Sequence, residues 1–261
     1  MIIDAKAERL FVISDLHLGN PASTARDRIL GFLDHVRDCG ASLCINGDGF
    51  EMLQTSMSRL AADAVPVVQK MQQLREGGGR VHYIVGNHDM VLEHFLEGLL
   101  LAKVSPFINL RSGDKRIRIE HGHIYDPFFA RHPDLYEAAA WAAGRFLVLS
   151  PDTYQLWTRA QKRLEDRRHK RAAGDTQAAS HYYEAADMLL QRGFDTVVFG
   201  HTHNAEVVEL DHGTFVNSGN WLTGSSYVEI DGGEVSLKRW DRRRGVVDLD
   251  LVAAESHSME A

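Results

Sequence analysis

The first third of the chain alternates short apolar runs with stretches of helical periodicity. Leu10-Phe11-Val12-Ile13 reads as a buried strand and leads straight into Ser14-Asp15. Beyond the Asn20-Pro21 turn, Ile29, Leu30, Leu33 and Val36 recur at helical spacing, with Ser23 or Thr24 as the expected cap. Leu43-Cys44-Ile45 is a second strand, stopping at Asn46-Gly47-Asp48. Leu60, Ala64, Val67, Val68, Met71 and Leu74 mark a second helix, which accommodates Pro66 if it begins near Asp63. Gly77-Gly78-Gly79 breaks that helix, and Val81 to Val85 forms a third strand closing on Gly86-Asn87-His88.

Ile117 to Glu120 and Thr196 to Phe199 are further strands, ending at His121 and His201. Val207 to Leu210, Thr214 to Val216, Tyr227 to Ile230 and Glu234 to Trp240 read as antiparallel, with Asp231-Gly232-Gly233 as the last hairpin turn. The pattern predicts an α/β protein. Its expected organisation is a single domain over residues 1–252, a helical cap inserted at about 127–192, and a flexible tail at 253–261.

Composition adds bounds. With 44% apolar and 25% charged residues, the chain reads as a soluble globular protein. A net charge of −7 argues against a general nucleic-acid coat. Cys39 and Cys44 form neither a zinc spacing nor a disulfide framework, which points to a reducing compartment. Met1 to Arg9 lacks a secretory pattern and no run reaches membrane-spanning length, so the expected location is cytoplasmic, with peripheral contact to the inner membrane face left open. Nothing in the pattern indicates an oligomeric state.

The chemistry sits at the strand ends. Asp15-Leu16-His17, Gly47-Asp48, Gly86-Asn87-His88-Asp89, His121-Gly122-His123 and Gly200-His201-Thr202-His203 occur in that order. In α/β sheets ligands bind beyond such ends. If the backbone is extended there, Asp15 and His17 point the same way, as do His201 and His203. Asp48 offers two oxygens and can bridge two ions, Asn87 adds a carbonyl oxygen, and His121 adds a nitrogen. Mixed oxygen and nitrogen ligation suits manganese, iron or zinc better than calcium. Two such ions stabilise the attacking and leaving oxygens of a displacement at phosphorus, and water between them ionises near neutral pH. His88, next to Asn87, is the candidate proton donor to the leaving oxygen, and Glu51 is the candidate carboxylate partner of its ring.

The set resembles the calcineurin-like metallophosphoesterase superfamily, whose pattern is Asp-x-His, Gly-Asp, Gly-Asn-His-Asp/Glu, a lone His and Gly-His-x-His. The resemblance runs from about Leu10 to Tyr227. It implies a four-layer β-sandwich flanked by helices. It further implies one metal among Asp15, His17, Asp48 and His203, a second among Asp48, Asn87, His121 and His201, and His88 as the catalytic histidine. His123 is expected to contact substrate or pack nearby, not to ligate. Ser14 to Gly19, Gly47 to Glu51, the helical insertion and Asn217 to Trp221 are similar to the UDP-2,3-diacylglucosamine pyrophosphatase group, which implies a lipid-linked sugar-nucleotide substrate. That group's best-known branch carries arginine at the place of His88, and aspartates are common at those of His123 and Asn220. Other phosphodiesters, diphosphates or phosphomonoesters therefore remain in view. So do a nucleic-acid phosphodiesterase, which the net acidity disfavours, and a non-catalytic binding module, which the unbroken ligand set disfavours.

Within the insertion, Arg159, Lys162, Arg163, Arg167, Arg168, Lys170 and Arg171 face only Glu165 and Asp166. This cluster reads either as an anion-attracting substrate rim, led by Arg159, Lys162 and Arg163, or as a solvated helix face. Phe128, Phe129, Trp141, Phe146, Tyr154 and Trp157 read either as an acyl or base pocket or as helix-packing core.

Overall fold

A computed structural model describes residues 3–21, 23–52, 55–89, 102–127, 131 and 176–249. In chain order its elements are β1 (Ile3–Lys6), β2 (Arg9–Ile13), α1 (Arg26–Asp38), β3 (Ser42–Asn46), α2 (Met57–Glu76), β4 (Val81–Ile84), β5 (Lys103–Ser105), β6 (Phe107–Ser112) and β7 (Lys115–Glu120). A 3₁₀ turn (His123–Tyr125) follows, then α3 (Thr176–Leu190), β8 (Thr196–Phe199), β9 (Ala205–Leu210), β10 (Gly213–Ser218), β11 (Ser226–Asp231), β12 (Glu234–Asp241) and β13 (Gly245–Asp248).

The strands form two sheets, ordered β13-β12-β11-β2-β3-β4-β5 and β1-β6-β7-β8-β10-β9. Alternation along each strand decides what each face buries. Leu10 and Val12 of β2, with Cys44 and Ile84, meet Ile108, Leu110, Ile117, Ile119, Val198 and Val216 between the sheets. Phe11, Ile13, Leu43, Ile45 and Tyr83 point the other way, into α1 and α2. Ala185, Ala186, Leu189 and Leu190 of α3 cover Val197, Phe199 and Phe215 on the far face of the second sheet. The result is helix, sheet, sheet, helix, the expected four layers.

Register brings the motifs together. β2, β3 and β4 run parallel, with Ile13 opposite Ile45 and Asn46 opposite Ile84, so Asp15, Asp48 and Asn87 leave the sheet side by side. In the other sheet β7, β8 and β10 are parallel, with Ile119 opposite Val198 and Phe199 opposite Asn217, so His121 and His201 leave together. β10 is thus antiparallel only to β9 and parallel to β8. The Gly232-Gly233 turn has φ of 57° and 98°, the left-handed pair of a tight hairpin.

Two further local expectations are corrected. Helix α1 starts at Arg26 behind Ala25, and neither Ser23 nor Thr24 is its cap residue. Their hydroxyls instead bond the Leu16 and Leu222 carbonyls, fastening this loop to the motif segments. Helix α2 begins at Met57, capped by Ser56, so Pro66 lies in its interior. An interior proline costs about 3 kcal/mol. Burying Leu60, Val67, Met71 and Leu74 at about 2 kcal/mol each outweighs that, and exposed Ala62, whose carbonyl loses its amide partner, faces water. Most of the expected cap, including the aromatic set, and the expected tail beyond 252 lie outside the described residues. No described helix is long and apolar enough to cross a membrane.

His82 lies opposite Lys103 in β4 and is buried. Burial, reinforced by Lys103 and Arg80, pushes its pKa down from 6.5 to about 4. The folded protein holds the ring neutral while the unfolded chain protonates it near 6.5, so this contribution to stability is present above 6.5 and lost as pH falls toward 4. We predict that metal-free protein loses up to about 3 kcal/mol through this group over that window. Denaturant melts from pH 7 to 4.5 should show a shallower pH slope for His82→Met; equal slopes would refute the assignment.

Candidate metal centre

Among the described residues, those with left-handed backbone other than glycine are Asp15 (φ 55°), His17 (45°), Asp48 (51°), His201 (63°) and His203 (61°). All are expected metal ligands. The extended conformation anticipated for the two-apart pairs is therefore wrong: these residues lie in turns just past the strands. Each such conformation costs on the order of 1–3 kcal/mol and persists only where surroundings enforce it. Here cross-loop hydrogen bonds do so. The N–H groups of Asp15, His17 and Leu18 donate to the carbonyls of Gly47, Asp48 and Gly49 at 3.1, 2.9 and 3.0 Å. Gly200 N–H donates to the His121 carbonyl at 3.1 Å, and His201 N–H to Asp15 Oδ2 at 3.2 Å.

The side chains converge. Asp48 Oδ2 lies 3.3 Å from His121 Nε2 and 3.8 Å from His17 Nε2. Asp15 Oδ1 lies 3.1 Å from His203 Nε2 and 4.0 Å from His121 Nε2. Three overlapping groups have ligand atoms within 4.8 Å of one another: Asp15, His17 and His203; Asp48, His121 and His201; and His17, Asp48 and His88. Asn87 is buried beside them. Asp15 Oδ1, His17 Nε2 and His121 Nε2 are buried without a hydrogen bond. Such atoms are costly unless a ligand takes their lone pairs. Two carboxylates, an amide and imidazoles, with orphaned atoms turned inward, fit a pair of divalent transition-metal ions.

The motif glycines make room. A methyl on Gly86 would overlap Asp48 Oδ1, and one on Gly47 would overlap the His121 ring. Several residues that sequence reasoning left without a role brace the candidate ligands. His121 Nδ1–H donates to the Asn46 carbonyl at 2.8 Å, which leaves Nε2 as its basic nitrogen. Asp89 accepts from Gly86 N–H at 2.7 Å, from Gly49 N–H at 2.9 Å and from the Tyr83 hydroxyl, clasping two motif loops. The Asn217 amide donates to the Gly200 carbonyl at 2.9 Å, and Asn220 to the His203 carbonyl at 3.1 Å. Position within the motifs was the available signal for Asp89 and Asn46; nothing in the pattern announces Tyr83.

Glu51 is fully buried and bridges two histidines: Oε1 lies 3.1 Å from His88 Nδ1 and Oε2 3.1 Å from His17 Nδ1. The expected His88–Glu51 pair is present, and its extension to His17 is new. Burial opposes charge on every group here; it prevails at His201, whose pKa it lowers, while mutual attraction outweighs it at His88, His121 and Asp15. For His88, burial is overcome by Asp48 and Glu51, and its pKa rises to about 10. His121 rises to about 9 against burial, through Asp48 and Asp15. Asp15 falls to about 2 against burial, through His203 and His121. His123 goes the other way: burial, with His121 and His201 nearby, lowers it to about 3. Its ring stands 5.4 Å from that of His121, beside the centre. Arg159, Lys162 and Arg163 lie outside the described residues.

A family model for calcineurin-like phosphoesterases matches residues 8–205, a span that contains all the motif blocks. The chain belongs to the calcineurin-like phosphoesterase family. As a member, it is a metal-dependent phosphoester hydrolase. It is similar to the UDP-2,3-diacylglucosamine hydrolase of Stenotrophomonas maltophilia, at 27% identity over 241 residues, covering 86% of this chain and 96% of that one. The Bordetella parapertussis protein of the same name is 28% identical over 204 residues, covering 74% and 76%. A solved structure of a Vps29 double mutant from Entamoeba histolytica aligns with TM-score 0.48 at 14% identity, covering 93% of this chain and 99% of that one.

A calcineurin-like phosphoesterase built this way should be stabilised by its ions, which bind only the folded chain. Manganese at about a hundred times its dissociation constant should raise the melting temperature by roughly 5–10 °C. Gly86→Ala, which displaces Asp48, should abolish that rise and retain the far-ultraviolet circular dichroism. A wild-type thermal shift in this variant would contradict the geometry.

Proposed function

We propose that this chain hydrolyses a phosphoester or diphosphate bond at a pair of divalent transition-metal ions, manganese first, with iron or zinc as alternatives. We further propose a lipid-linked sugar nucleotide resembling UDP-2,3-diacylglucosamine as substrate. The observation that carries the reading is the meeting of Asp15, His17, Asp48, His121, His201 and His203 from both sheets around buried atoms without hydrogen bonds. Asp15, His17, Asp48 and His203 would hold one ion; Asp48, Asn87, His121 and His201 would hold the other. When bound, the ions draw charge from the phosphoryl oxygens and lower the pKa of the attacking water.

The remaining work falls to side chains. His88 is partly open to solvent, and its ring meets that of His17 edge-on at 4.7 Å. Glu51 holds its Nδ1, so the proton offered to substrate would be the one on Nε2. As the water oxygen bonds to phosphorus and the bond to the leaving oxygen breaks, His88 passes its proton to that oxygen and regains one from solvent. The water's own proton goes to solvent. Glu51 keeps the ring oriented and charged. The substrate choice is supported by the names of the curated relatives, whose matches span most of this chain. We also propose a cytoplasmic location with peripheral contact to the inner membrane face, where a lipid-linked substrate would be met.

The test is a manganese-supplemented panel of a diacylated sugar nucleotide, nitrophenyl phosphomonoester and phosphodiester, and an oligonucleotide. The diacylated sugar nucleotide should give the highest kcat/KM. Asp48→Ala should reduce turnover to background, and His88→Gln should lower kcat by about 10²- to 10⁴-fold with little change in KM. Undiminished turnover by Asp48→Ala would sink the metal mechanism. Faster cleavage of the oligonucleotide would sink the substrate assignment alone.

A further inference from the structure

Besides Glu51, a second carboxylate reaches the centre from outside the motif blocks. Asp126 follows the short 3₁₀ turn that leaves β7, and its Oδ2 lies 3.5 Å from His201 Nε2. A neutral imidazole carries one ring proton, and the nitrogen that faces a carboxylate keeps it. With Nε2–H directed at Asp126, His201 presents Nδ1 as its basic atom. A carboxylate behind a ligating imidazole fixes the tautomer and tilt of the ring and raises its basicity.

Asp126 is itself held. Its N–H donates to the His123 carbonyl, and Tyr125 N–H to that of Gly122, both at 3.1 Å. The Tyr125 hydroxyl donates to Glu120 Oε1 at 2.7 Å. Glu120 Oε2 accepts from Nε and Nη2 of Arg118 at 3.1 and 2.9 Å, and Arg118 Nη1 donates to Asn109 of β6 at 2.9 Å. Glu120 directly precedes a metal ligand, yet both of its oxygens are turned to this chain of bonds. The short turn bearing Asp126 is therefore tied to the second sheet at a defined height beside His201.

We propose that Asp126 is a positioning residue for the ion held by Asp48, Asn87, His121 and His201: its carboxylate sets the orientation of His201, and the Arg118–Glu120–Tyr125 chain sets Asp126. The inference rests on the dinuclear reading above and names a residue that the motif pattern does not contain.

The test is manganese titration of the metal-free full-length protein by calorimetry, with melting temperatures of the metal-free variants. Wild type should bind two ions. Asp126→Ala should bind one as wild type does and the other about 10- to 100-fold more weakly, with an unchanged metal-free melting temperature. Asp126→Asn keeps an acceptor oxygen and should recover most of the loss; Tyr125→Phe should show a smaller loss at the same site. Wild-type affinity for both ions in Asp126→Ala would overturn the inference alone. So would equal weakening of both ions with a lowered metal-free melting temperature, which marks a purely structural role. Asp126→Asn as weak as Asp126→Ala would mark a direct ligand and overturn the positioning role. Uptake of a single ion by wild type would overturn the dinuclear reading and this inference together.

Discussion

Two carboxylates, Asp15 and Asp48, sit fully or almost fully buried near one another at the junction of two sheets. Like charges out of water repel strongly and are costly to desolvate. The structure answers with compensating positive charge. Histidines from four loops turn toward the two carboxylates, and among the histidine protons that balance the charge His121 and His88 bind theirs tightly. Divalent cations satisfy the same demand more fully, because they take the lone pairs of the carboxylates and imidazoles at once. The site is thus best understood as a concentrated negative charge that the fold is built to hold until cations neutralise it.

Much of the architecture serves that requirement. Parallel β2, β3 and β4 in one sheet and parallel β7, β8 and β10 in the other deliver their ends to one edge of the sandwich. A single slip in register would move Asp48 away from Asp15. The left-handed turns then fold the candidate ligands back over the strand ends, and the motif glycines allow loops to approach closer than any side chain would permit. The apolar layers supply the stiffness against which this strain is held, since packed interiors transmit displacement instead of absorbing it. Asp89, Asn46 and Asn217 contribute no charge to neutralise phosphate. They contribute position, which at a metal centre is worth as much.

The legible parts were those with a strong local signal. The β2, β3, β4 and β8 strands are short and apolar, β7 carries buried Ile117 and Ile119 between charged residues, all are punctuated by motif residues, and the candidate ligand set follows from ordinary metal chemistry at their ends. The Glu51–His88 pair was legible because Glu51 closely follows Asp48. Other parts were hidden for physical reasons. The left-handed backbone at Asp15 and His17 depends on hydrogen bonds to a loop more than thirty residues away, and periodicity carries no trace of such bonds. Pro66 misled because tertiary burial of the α2 face overrode local propensity. Ser23 and Thr24 have the chemistry of caps, yet their hydroxyls are taken by the Leu16 and Leu222 carbonyls, a choice made by tertiary neighbours. Asp126 lies outside every motif and is identified only by its distance to His201.

The central claim is that these side chains gather two cations around a shared Asp48. Anomalous scattering from crystals of the full-length protein grown with manganese tests it most directly. Two peaks about 3.5–4 Å apart, one on each side of the Asp48 carboxylate, are the expected result. A single peak, an empty site, or ions bound away from Asp48 would contradict it.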